Sequence, residues 1–97
     1  MKVQTDKLTK YSSVVEALIW WVSYCENDLE NLAKACIKQL RKSSEEIPQV
    51  KKQIEELIQL IETYVSLPLE TRSYACELLD TIDMKFKQLL YTSARVL

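Results

Sequence analysis

The chain has 97 residues, 13 Lys and Arg against 14 Asp and Glu, and a formal net charge of -1. This length supports one domain spanning residues 1–97, and the charge balance excludes the basic surface of a dedicated nucleic-acid binder and the acidic surface of a nucleic-acid mimic. With no Gly and no His, the sequence also excludes glycine-rich phosphate loops, tight β-turns, imidazole catalysis and most zinc sites, and so predicts a small all-α protein that is not an enzyme and needs no cofactor or metal.

Met1 to Lys10 is polar and reads as loose, with a first turn near Asp6. A first helix is expected over about residues 12–25, started by Ser13 and Glu16 at capping-box spacing. From Val14 to Cys25 it is apolar nearly all round, which marks either the buried centre of a bundle or a contact surface for another molecule. The apolar run is interrupted by Glu16 and Ser23 and is shorter than the roughly 20 residues a membrane span needs. The polar triplet Glu26-Asn27-Asp28, with Asn27 and Glu30 as a second capping pair, predicts a break. The series Val15, Leu18, Val22, Cys25, Leu29, Leu32, Cys36, Leu40 nevertheless keeps 3-4 spacing across it. The alternative is therefore one long first helix and three helices in all.

The second helix is expected over about 28–43, ending in Lys38, Arg41 and Lys42, cations suited to the negative pole of a helix. Ser43-Ser44-Glu45-Glu46 punctuates the chain, and Pro48 fits a helix's first turn. Ile47, Val50, Ile54, Leu57, Ile61 and Tyr64 then follow at strict 3-4 spacing and place a third helix at about 47–66. Ser66-Leu67-Pro68 ends it. A fourth, uninterrupted helix is expected over about 69–95, with Leu78, Leu79, Ile82, Phe86, Leu89 and Leu90 on its apolar side. Short connections make neighbours antiparallel, so the expected architecture is an up-down-up-down four-helix bundle.

Cys25, Cys36 and Cys76 are odd in number and match no metal spacing; sitting among apolar residues at helical spacing, they read as core thiols of a protein in the reducing cytosol. The pairs Glu26 with Glu30, Glu77 with Asp80 and Asp80 with Asp83 read as a solvated acidic face, because two-metal bundle sites need histidine. A basic cluster of Lys38, Arg41, Lys42, Lys51 and Lys52, joined by Lys34, would face an anionic partner or serve solubility. Trp20 and Trp21 lie about 100° apart on a helix. Only one can face the bundle centre, leaving the other as a candidate anchor for a partner. Lys85, Lys87, Tyr91 and Arg95 are the partner-binding candidates of the last helix. The stripe from Ile47 to Tyr64 would serve a homodimer as well as an intramolecular core.

The stretch Leu29 to Ile82 resembles a known family. It holds an amphipathic helix ending Lys38-Gln39-Leu40-Arg41-Lys42, then Ser43-Ser44-Glu45-Glu46-Ile47-Pro48, then the stripe helix Ile54 to Tyr64. Leu67-Pro68-Leu69-Glu70 then leads into a helix carrying Leu78 and Leu79. In these features the chain is similar to the immunity proteins of pediocin-like (class IIa) bacteriocins. The resemblance implies a cytoplasmic, non-enzymatic four-helix bundle acting at the inner face of the membrane, on the sugar-permease receptor that the toxin seizes. It also implies specificity in the C-terminal half. Two other readings remain open: a small inhibitor from a phage or mobile element that docks on a host defence complex (anti-CRISPR type), and a structural subunit of a larger assembly.

Overall fold

A computed structural model describes the backbone of residues 2–96 and the side chains of residues 13–95. The protein is all-α: α1 (Lys2–Asn27), α2 (Glu30–Glu46), α3 (Lys51–Val65), α4 (Leu69–Arg72) and α5 (Cys76–Val96), with a 3-10 turn at Pro48–Val50 ahead of α3. No strand occurs among the described residues. Helix α1 packs on α2, α2 on α3, α3 on α5, and α5 on α1. The seam between α1 and α2 is the most extensive and that between α1 and α5 the slightest.

One apolar cluster joins the four long helices. From α1 come Val14, Ala17, Trp21 and Tyr24; from α2 Ala33, Cys36 and Leu40; from α3 Ile54, Leu57, Ile58, Ile61 and Tyr64; from α5 Ile82, Phe86 and Leu89. All six residues of the Ile47-to-Tyr64 stripe are buried, as the period of 3.6 dictates. Helix α1 uses a different register from the one that the long 3-4 series suggested. Its buried stripe is Val14, Ala17, Trp21 and Tyr24. Val15, Leu18, Val22 and Cys25 form a neighbouring stripe, half-buried at Val15 and Leu18 and exposed at Val22 and Cys25.

The helix boundaries settle or correct the sequence reading in four places, and α3 starts at Lys51, behind a separate 3-10 turn, not at residue 47. First, α1 starts at Lys2, not near residue 12, because neither Gly nor Pro interrupts it before Asn27; the segment expected to be loose is helical from Lys2, while Met1 lies outside the described residues. Ser13 is therefore inside the helix and caps nothing: its hydroxyl donates to Glu46 Oε2 at 2.8 Å, tying α1 to the far end of α2. Second, α1 and α2 are separate, which removes the three-helix alternative. Asp28 adopts the left-handed conformation at φ 52°, a place usually taken by Gly and tolerated by Asp and Asn. Leu29 is extended and caps α2 with backbone alone, while the Asn27 amide turns back to donate to the Ser23 carbonyl at 2.9 Å.

Third, α2 runs on to Glu46. The Ser43 hydroxyl bonds within the helix to the Gln39 carbonyl at 2.9 Å rather than ending it. Lys38, Arg41 and Lys42 thus precede the last turn, which holds Glu45 and Glu46 and no cation. Fourth, the last helix is divided. Tyr74 and Ala75 donate to the carbonyls three residues back, Thr71 and Arg72, and α5 starts afresh at Cys76. Arg72, the last residue before the break, is anchored on the Leu67 and Val65 carbonyls and on Asp28, away from α5.

Candidate functional site

The end of the molecule where α1 stops and α5 starts is held by Arg72. Its Nε donates to the Leu67 carbonyl at 2.9 Å and Nη2 to the Val65 carbonyl at 2.6 Å. These are carbonyls that the end of α3 leaves without helical partners. Nη1 pairs with Asp28 Oδ1 at 2.6 Å, and the guanidinium carbon stands 6.0 Å from the Tyr24 ring centroid. One side chain thereby ties the α1–α2 turn to the α3–α4 connection.

Behind it lies an aromatic core. Trp21 stacks on Tyr24 at 5.4 Å between centroids, meets Tyr64 edge-on at 5.8 Å and stacks on Phe86 at 6.5 Å. Trp21 is 1 % exposed, which removes it from the surface anchors expected from sequence; Trp20 is half-buried against the same core. Of the pair, one ring faces the centre, as the 100° step requires. The indole N–H of Trp21 and the hydroxyl of Tyr24 are buried without a hydrogen-bond partner. Burial, and then the nearby Asp28 carboxylate, hold the Tyr24 phenol above the usual tyrosine range.

Between α1 and α5 the slight seam leaves an open groove of ≈ 390 Å³. Its α1 wall is Trp21, Val22, Cys25 and Glu26, and its α5 wall is Cys76, Leu79, Asp80 and Asp83. The floor is apolar and both thiols are free and exposed, so of the three cysteines expected in the core only Cys36 lies there; Cys25 and Cys76 sit at the open seam. Every charged residue of the lining is a carboxylate, and none of the three is in an ion pair among the described residues. Burial and the carboxylates of Asp83, Asp28 and Glu26 push the Cys25 thiol up to about 11, so the field in the groove is negative. Along the outer flank of α1, Ile19 is 56 % and Val22 47 % exposed. By sequence this helix reads as either core or contact surface, and Val22 stands only within the long 3-4 series, with Ile19 not singled out. The signal was present as the second 3-4 stripe of α1, which only the packing distinguishes from the buried one.

The remaining candidates fall elsewhere. Lys38, Arg41, Lys42, Lys51 and Lys52 are all exposed around the α2–α3 connection. Arg41 lines a groove of ≈ 470 Å³ together with Glu55 and Glu62, so its field there is opposed. On α5, Lys85 turns toward α3 and pairs with Glu56 at 3.4 Å. Lys87, Tyr91 and Arg95 are exposed and lie in line at i, i+4 spacing, with the Arg95 guanidinium 5.7 Å from the Tyr91 ring. The structure therefore does not bring Lys85 together with the other three.

Among the described residues, no group of three or more Cys, Asp or Glu side chains is arranged to hold a metal, and no helix is long and apolar enough to cross a membrane. No protein-family model, curated protein or solved structure matches this chain.

Proposed function

We propose that this protein is a non-enzymatic binding module whose partner is another protein, engaged through the outer stripe of α1 and the groove beside α5. The observation that carries this reading is the second apolar stripe. Val15, Leu18, Val22 and Cys25 continue the helix's apolar surface past the core, and Ile19 widens it into solvent. Scattered exposed apolar residues need no explanation, but a stripe in helical register beside an open seam fits a contact surface.

The test compares wild type with Ile19→Asp and Val22→Asp in a pull-down from the native host, membrane fraction included, read by mass spectrometry. Both positions are exposed, so thermal stability should hold. Loss of one specific companion from both variants, with folding intact, supports the reading; equal recovery sinks it.

The narrower form of the proposal is immunity-type action at the cytoplasmic side of a sugar permease; it rests on the sequence resemblance from Leu29 to Ile82, whose first helix runs past Lys42 to Glu46 and whose last is divided at residues 73–75. Recovery of permease components, strengthened by the cognate bacteriocin, is its expected result. Recovery of a soluble defence complex would replace it with the inhibitor reading.

A further inference from the structure

Resting on the proposed binding role, we propose that the α1–α5 groove receives a cationic amphipathic helix of the partner, laid lengthwise in the seam with its apolar side on Val22 and Leu79 and its Lys or Arg residues toward Glu26, Asp80 and Asp83. Three observations select this occupant. The first is charge complementarity: the rim carries carboxylates and no cation, and none is paired among the described residues. Asp80 and Asp83 are three apart on one helix, a mildly unfavourable like-charge spacing; Lys87, at i+4 from Asp83, is the nearest cation on that face of the helix and makes no ion pair with it among the described residues. The second is shape. The groove is an open trough between two helices, not an enclosed pocket, with an α1 wall from Trp21 to Glu26 and an α5 wall from Cys76 to Asp83, about 7 and about 10 Å along their axes. A partner helix would fill that length with about two turns. The third is the Cys25 thiol, raised first by burial and next by Asp83, with Asp28 and Glu26 after it, which puts two of the three rim carboxylates close to the apolar floor. The other large groove, between α2 and α3, mixes Arg41 with Glu55 and Glu62 and selects no sign of charge.

The probes are three synthetic amphipathic helices of about four turns sharing one Leu stripe, with Lys, Gln or Glu on the polar side. Binding is followed by amide chemical shifts of the full chain and by titration at low and moderate salt. The Lys peptide should bind about tenfold or more tighter than the Gln peptide, lose that advantage as salt rises, and shift the amides of Val22, Cys25, Leu79 and Asp83. Asp80→Lys with Asp83→Lys should reverse the order in favour of the Glu peptide; both positions are exposed, so the fold should survive. Equal binding of all three peptides in the groove would overturn the charge selection and leave the binding role standing. Binding of none, together with unchanged partner capture by Val22→Asp, would overturn both. Shifts confined to the Arg41 groove, or concentration-dependent shifts without peptide that mark a second copy in the trough, would also overturn the inference.

Discussion

At the scale of single residues, the two tryptophans and Arg72 make the sharpest statements. Trp21 carries the contacts that join α1, α3 and α5, so Trp21→Ala should cost about 3–5 kcal/mol, while Trp20→Ala, at a half-buried ring, should cost about 1–2 kcal/mol. Trp21→Phe should recover most of the difference. It keeps an aromatic ring in the stack and deletes an N–H that is buried without an acceptor, a group whose burial costs about 1–3 kcal/mol. Urea denaturation of the three variants checks this; equal losses for both alanine variants would show that the rings are equally buried. For Arg72, magnitudes decide between its contacts. The Asp28 pair is open to solvent at the carboxylate, and pairs of that kind contribute at most about 1 kcal/mol. The two carbonyl bonds are charge-assisted and shielded. Arg72→Ala should therefore cost about 2 kcal/mol or more, and Asp28→Asn less than about 1 kcal/mol.

At the scale of elements, Asp28 explains how a chain with no glycine makes a helical hairpin. Its φ of 52° is strained for most side chains and mild for Asp or Asn. Asp28→Ala should cost about 1–2 kcal/mol more than Asp28→Asn, with Asp28→Gly close to the Asn variant, because Gly relieves the backbone while losing the carboxylate. Thermal melts of the three rank these terms; an alanine variant as stable as the asparagine one would show that the left-handed turn costs nothing. The division of the last helix has a different origin. No residue between Leu69 and Val96 is a helix breaker in itself, and the chain turns at Ser73–Ala75 while Arg72 is held on the α3 carbonyls and Asp28. The contacts of Arg72 with Val65, Leu67 and Asp28 exist only in the folded arrangement and leave no mark in residue type or spacing, so the sequence reads as one helix. The second helix was misread for a related reason. Serines are ambiguous: Ser43 closes on its own helix rather than capping a turn, and the cluster of Lys38, Arg41 and Lys42 moves from the expected helix end into its body.

At the scale of the whole molecule, the buried Cys36, Tyr24 and Tyr64, with Cys25 at the seam, set an alkaline limit. Burial pushes Cys36 up to about 12, burial and carboxylates push Cys25 up to about 11, and burial first also raises Tyr24 and Tyr64. Each group is neutral when protonated, and each holds its proton more tightly folded than unfolded. Their contribution is fully present below the unfolded values of 9.0 for Cys and 10.0 for Tyr and is lost as pH rises through the raised ones. The urea midpoint should therefore fall progressively above about pH 9, and Cys36→Ala should flatten the fall even if it lowers the starting value. A midpoint independent of pH between 8 and 11 would contradict the burial of these groups.

Composition and periodicity by themselves determined the all-α class, the stripe from Ile47 to Tyr64 and the rule that only one of Trp20 and Trp21 can face the centre, and they favoured the break after α1, with one long helix left open as the alternative. Each of these depends on residues close in sequence: the absence of Gly, a 3-4 repeat, a polar triplet, a 100° step. Tertiary structure alone decided which of the two apolar stripes of α1 is core, where the last helix breaks, and that Glu26 and Asp83, far apart in the chain, share one groove. Both stripes of α1 satisfy the helical period equally well. Only the arrival of α2, α3 and α5 on one side buries Trp21 and leaves Val22 at the open seam.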